Sequence, residues 1–204
     1  MPTVIYPNGK TISLHAANKC GISTVQSYLG YPIWGDLRGR NGKRELKQKG
    51  LWIGERDINE AYPTLNVDHS ACVIRHPVSR MTSIYIDRVT NKSRENCFQE
   101  IKNWDNFVQN FPLWREKYKD IRIHSNEQSS ILMDLKYYDK VFTTSQLGKE
   151  VREWLGNLTD CVIPEARGKF SHGKTEEIEV TYHQEKLIRE YFKNDFIVYK
   201  NYFQ

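Results

Sequence analysis

Ser70-Ala71-Cys72-Val73-Ile74-Arg75-His76-Pro77-Val78-Ser79-Arg80-Met81-Thr82-Ser83-Ile84-Tyr85 is the stretch on which the fold turns. Its first five residues are a short apolar run without polar alternation, as in a strand buried on both faces. Pro77 fits the first position of a helix, where its missing N–H is not needed. Val78, Met81, Tyr85 and Val89 then recur at helical spacing. The stretch therefore reads as strand, turn and helix, with Arg75 at the mouth of the strand. Another such unit lies upstream. Thr3–Tyr6 and Thr11–His15 flank Pro7-Asn8-Gly9-Lys10 and read as a hairpin closed by a two-residue Asn-Gly turn. The second of these strands runs through Ala16-Ala17-Asn18-Lys19-Cys20-Gly21-Ile22-Ser23-Thr24 into a helix. That helix carries Val25 and Leu29 and is expected to stop at Gly30.

Downstream, Phe98, Ile101, Trp104, Phe107 and Val108 predict an amphipathic helix ending near Phe111-Pro112. Lys140–Thr143 predicts a short strand. Ser145 is placed to cap the following helix, which carries Leu147, Val151, Trp154 and Leu155. A Gly/Lys/His-rich loop follows at 165–175. The C-terminal helix carries Tyr182, Leu187, Ile188, Tyr191 and Phe192, before an apolar close at Phe196–Tyr199. Strands alternating with helices predict an α/β fold: one domain over 1–204 with a largely parallel central sheet flanked by helices.

The chain's 204 residues and 24.1 kDa suffice for a core, since a domain of this size buries roughly 70% of its unfolded surface. Aromatic residues at 12% exclude wholesale disorder. No run approaches the ~18 apolar residues of a membrane span. Met1–Tyr6 lacks the basic and apolar regions of a signal peptide, so a cytoplasmic location is expected. Cys20, Cys72, Cys97 and Cys161 show no metal-ligand spacing, and reduced thiols are expected, with no metal. A net charge of +5 hints at an anionic partner. The excess is concentrated at 36–49, where Arg38, Arg40, Lys43, Arg44, Lys47 and Lys49 outnumber Asp36 and Glu45. This stretch reads as a mobile basic loop or a solvated short helix; contact with an anionic ligand is the competing reading.

Two places carry chemistry. A helix N-terminus presents unpaired N–H groups and a partial positive charge, both of which suit a phosphate. In Lys19-Cys20-Gly21-Ile22-Ser23-Thr24, Gly21 allows close backbone approach, Ser23 and Thr24 add hydroxyls, and Lys19 adds a full charge. The order is not that of a Walker A loop, because Lys precedes Gly. An ordinary capped helix is the plainer alternative. In the second unit, Arg75 can meet a phosphate bidentately, Ser83 lies two turns on, and Arg80 stands between them. Against this, Arg75 and Arg80 can simply pair with carboxylates. Two anion sites on two strand–helix units would suit a ligand with two separated phosphates.

Together these segments resemble the sulfotransferases that use 3′-phosphoadenosine-5′-phosphosulfate (PAPS), most closely the carbohydrate branch, sulfotransferase family 2. In that superfamily a strand–Lys-x-Gly-x-Ser/Thr-Ser/Thr–helix loop holds the 5′-phosphosulfate. A strand ending in Arg, followed by x-Pro-x-x-Arg-x-x-Ser-x-Tyr, holds the 3′-phosphate. His124-Ser125-Asn126-Glu127-Gln128 echoes the family's His-x-x-x-Gln motif, without its usual internal aromatic and proline. Asp195-Phe196-Ile197-Val198-Tyr199 echoes its C-terminal Asp-Phe-x-x-Phe/Tyr segment. The likeness spans about 10–202.

The resemblance implies a P-loop-like fold and in-line transfer of a sulfuryl group from PAPS to a hydroxyl or amine, with PAP as product and no metal. Lys19, Cys20, Gly21, Ile22, Ser23 and Thr24 would hold the 5′ end of the donor, and Lys19 would stabilise the leaving oxygen. Arg75 and Ser83 would hold the 3′-phosphate. The general base would be Glu55, with His124, Glu60 and His69 as other candidates. Arg167 and Lys169 sit in a loop that either closes over the nucleotide or merely connects two elements. The acceptor would be a saccharide or another small hydroxyl compound; Trp34, Trp52, Trp104 and Trp114 would either stack on it or fill the core. The short chain, with no anchor or stem, suggests a bacterial or viral enzyme. A phosphate-loop kinase and a non-catalytic nucleotide- or polyanion-binding module are the alternative functions, with nucleic acid a minor option.

Overall fold

A computed structural model describes residues 3–37, 40–53, 67–90, 98–132, 134–166 and 178–203, with backbone alone at 40–43 and 52–53. The fold is α/β, and the chain divides into two compact units. One takes Met1–Ile74 and Leu132–Ser171, the other Arg75–Ile131 and His172–Gln204.

The first unit holds one open five-stranded sheet. Its strands are β1 (Thr3–Ile5), β2 (Thr11–Ala16), β3 (Trp52–Ile53), β4 (His69–Ile74) and β5 (Lys140–Thr143), in spatial order β3-β1-β2-β4-β5. β2, β4 and β5 are parallel and form its longer ladders; β1 pairs antiparallel with β2 and with the two-residue β3. The parallel part matches the apolar runs read from sequence: every residue of Ser70–Ile74 is buried. The hairpin forms, but its loop has three residues. Tyr6 N–H donates to Lys10 C=O (2.9 Å), Gly9 N–H donates to Tyr6 C=O (2.9 Å), and only Gly9 takes a positive φ (83°). Asn8 instead accepts from the Lys10 amide through its side chain, so a turn plus a left-handed Gly replaces the two-residue turn.

Helix α1 (Ile22–Trp34) runs past its expected stop at Gly30 and ends at Gly35, whose φ is 72°. Gly30 lies under the Trp34 ring, where a Cβ would come within 2.1 Å of a ring carbon. Its glycine serves packing rather than termination. The basic stretch forms a short helix, α2 (Arg40–Gln48), anchored by the buried Leu46 with Arg44 and Lys47 exposed. Over 40–48 the stretch is thus a short helix rather than a loop. After β5, the cap is Thr143 rather than Ser145. Its hydroxyl and the Gln146 side chain form a reciprocal capping box, which requires an acceptor three residues before its partner. A π-helical turn (Leu147–Val151) and a helix (Arg152–Thr159) follow.

The second unit is helical. α3 (Pro77–Arg88) begins at Pro77 as expected. The helix predicted from Phe98 to near Phe111-Pro112 starts only at Trp104, where the Asn103 side chain accepts the Asn106 amide (2.8 Å). This α4 (Trp104–Gln109) gives way to α5 (Phe111–Lys117), with Pro112 inside the new first turn, and α6 (Lys119–His124) follows. The chain closes with Tyr182–Tyr191 and Lys193–Val198. Thr181 and Gln184 make a capping box, which leaves Tyr182 in the exposed first turn rather than in the core. Met81, Ile84, Phe107, Phe111, Trp114, Ile188 and Phe192 make up the heart of this unit. Among the described residues no helix is long and apolar enough to cross a membrane.

Candidate functional site

The first candidate grows out of β2, the central strand, five of whose six residues are buried. At its end the chain turns through Ala17–Cys20, closed by Cys20 N–H to Ala17 C=O (3.0 Å). Lys19 takes φ 68° in this turn, a left-handed conformation that costs a non-glycine residue about 1–2 kcal/mol. Gly21 follows at φ 78° and opens α1. Its N-cap residue, Gly21, offers no side-chain cap, and no acid lies in its first turn. The sequence Lys19, Gly21, Ser23, Thr24 is thus a tight turn leading through a glycine N-cap into a helix, with Ile22, Ser23 and Thr24 half-buried. Gly21 has a second task. A Cβ there would lie 2.3 Å from Leu147 Cδ1, so the π-helical turn presses directly on it. Cys20 is fully buried, its thiol 3.8 Å from the Asn18 carbonyl, and serves the turn's interior. Burial pushes the Cys72 thiol up to about 12. Cys20, Cys72 and Cys161 are free thiols; Cys97 lies outside the described residues.

The second candidate belongs to the other unit. Arg75 directly follows β4, His76 precedes α3, and Ser83 is half-buried on that helix. Arg75 Nε donates to Ser79 Oγ (3.0 Å). Arg80 is committed elsewhere: it is fully buried, 3.9 Å from Asp195 Oδ2 and bonded to the His124 carbonyl (3.2 Å). The carboxylate-pairing reading thus holds for Arg80. Asp195 also accepts from the Gln128 and Ser129 amides (3.0 and 2.8 Å). The second motif, the His-x-x-x-Gln segment and the Asp-Phe segment therefore meet in one buried polar network within this unit. The sequence pointed to each segment; the partnership of Gln128 with Asp195 has no local signature.

The base candidates fare differently. His124 Nε2 lies 2.6 Å from Arg88 Nη2, and Nδ1 lies 2.8 Å from the Asp120 carbonyl. Arginine can only donate, so Nε2 accepts and Nδ1 carries the proton. His124 is thereby a link between α3 and α6. His69 opens β4, half-buried. Glu55, Glu60, Arg167 and Lys169 lie outside the described residues. Trp104 and Trp114 serve the core: their indole N–H groups donate to Gln184 and to the Asn106 carbonyl.

One polar cluster passed unnoticed in the sequence. Thr3, Ser13, His15 and Tyr138 form a buried chain, with His15 Nε2 2.6 Å from Ser13 Oγ and Nδ1 2.8 Å from Tyr138 Oη. A histidine at an inward position of an apolar strand was its only signal. Among the described residues no group of three or more His, Cys, Asp or Glu could hold a metal. Comparison with protein-family models, with curated proteins and with solved structures finds no match for this chain.

Proposed function

We propose that the chain is a PAPS-dependent sulfotransferase acting on a hydroxyl or amine, with carbohydrates the first acceptor class to test. One observation carries the reading. Both motifs fold as strand, turn and helix, each with its cation ahead of the helix: Lys19 between β2 and α1, Arg75 between β4 and α3. The left-handed Lys19 adds support, since backbone strain tends to collect at functional turns.

In this reading the 5′-phosphosulfate lies against the first-turn amides of α1, with Ser23 and Thr24 as hydroxyl donors. The 3′-phosphate goes to Arg75 and Ser83. The acceptor oxygen attacks sulfur in line, the S–O bond to the phosphate breaks, and PAP leaves. Lys19 and the helix amides meet the charge that grows on the leaving oxygen. The acceptor's proton passes to a base, for which Glu55, Glu60 and His69 rank ahead of His124, whose ring nitrogens are both hydrogen-bonded. Arg167 and Lys169 are further candidates for the nucleotide.

Conversion of PAPS to PAP, followed with a panel of saccharide acceptors, tests the assignment. Lys19→Ala is expected to lower turnover on the order of 100-fold, with a far smaller loss of PAP affinity. Equal losses in turnover and affinity would leave Lys19 a binding role alone.

A further inference from the structure

Within its unit Arg75 is held by Gln128 and by Ser79. Its amide donates to Gln128 Oε1 (2.8 Å), and its carbonyl accepts from Gln128 Nε2 (2.8 Å). One carboxamide thus satisfies both main-chain groups of a single residue, as a neighbouring strand otherwise would. Gln128 is fully buried, and its orientation is determined. Nε2 also donates to Asp195 Oδ2 (3.2 Å), so flipping the amide would set its oxygen against a carbonyl and a carboxylate. Asp195 is in turn fixed by the Ser129 amide and the buried Arg80. At the other end of the residue, Arg75 Nε donates to the Ser79 hydroxyl, one turn into α3 (3.0 Å).

We propose that Gln128 and Ser79 are positioning residues that aim Arg75 at an anionic ligand. Gln128 fixes where the main chain of Arg75 sits; Ser79 fixes where its guanidinium points. This inference rests on the PAPS reading, in which Arg75 meets the 3′-phosphate. Bidentate phosphate recognition depends on a fixed guanidinium plane, and a long side chain held in advance loses less rotamer entropy on binding.

The full chain, Gln128→Met and Ser79→Ala are each titrated with adenosine 3′,5′-bisphosphate and with AMP, which lacks the 3′ group. The ratio of the two affinities isolates the 3′-phosphate. Each variant is expected to lower that ratio about tenfold, the size of one charge-assisted hydrogen bond, with AMP affinity unchanged. In an Arg75→Ala background neither substitution should lower it further. Equal losses for both ligands, or an unchanged ratio, would overturn the inference and leave a purely structural role. Ser79→Ala touches only an exposed pair, so it decides the matter even if Gln128→Met fails to fold. A wild-type chain with no preference for the bisphosphate would overturn the nucleotide reading itself, and the inference with it. A wild-type preference retained in both variants overturns the inference alone.

Discussion

His15 is held in its neutral, singly protonated form. It is fully buried between Ser13 and Tyr138, and desolvation holds its pKa down at about 3. Unfolded, the same imidazole binds a proton below about pH 6.5. Between those values the unfolded state carries a proton that the native state does not, so stability falls as pH falls. The loss is on the order of 1 kcal/mol per pH unit across the window. Urea denaturation over a pH series should show this slope, and His15→Gln should flatten it; an unchanged slope would contradict the assignment. Asp195 is the other residue whose environment defines a prediction. Asp195→Ala leaves Arg80 buried without its carboxylate, which costs about 3–5 kcal/mol. A measured loss under about 1 kcal/mol, the range of an exposed pair, would contradict a buried pairing. At this scale the sequence was only half legible. It singled out Arg80, Gln128 and Asp195, but a pairing across more than a hundred residues leaves no trace in local spacing.

At the scale of elements, the turn between β2 and α1 is shaped by Leu147 as well as by its own residues. Gly21→Ala would combine a left-handed backbone, costing about 1–2 kcal/mol, with the collision against Leu147 Cδ1. Removing the obstacle in Gly21→Ala/Leu147→Ala should recover the steric part and leave the backbone part, so the two substitutions should be non-additive in thermal unfolding. Strict additivity would show that Leu147 does not restrain the turn. Strand–turn–helix units were readable because apolar runs, Pro77 and helical spacing are local signals. Boundaries were less so. Gly30 looked like a stop but accommodates the Trp34 ring, Thr143 outcompetes Ser145 because Gln146 answers it, and Asn103 delays α4. In each case a side chain a few residues away decides, and its rotamer is not written in the periodicity.

For the molecule as a whole, a mild net charge of +5 resolves into distinct placements. Lys19 stands before α1 in the first unit, Arg75 before α3 in the second, and the exposed Arg44 and Lys47 lie on α2. The α/β class and the parallel heart of the sheet follow from the order of apolar runs, and the antiparallel β1 follows from the hairpin; the two-residue β3 carries no such signal. A polyanion-binding module would depend mainly on the basic helix, and its binding would fall steeply with salt without nucleotide preference. A sulfotransferase would instead recognise one nucleotide. The direct measurement is the melting temperature of the full chain with adenosine 3′,5′-bisphosphate, with ATP and magnesium, and with neither. At ligand ~100 times its dissociation constant, the bisphosphate should stabilise the chain by about 2.7 kcal/mol, roughly 5–11 °C. A rise with ATP and magnesium alone, or no rise with either nucleotide, would contradict the account.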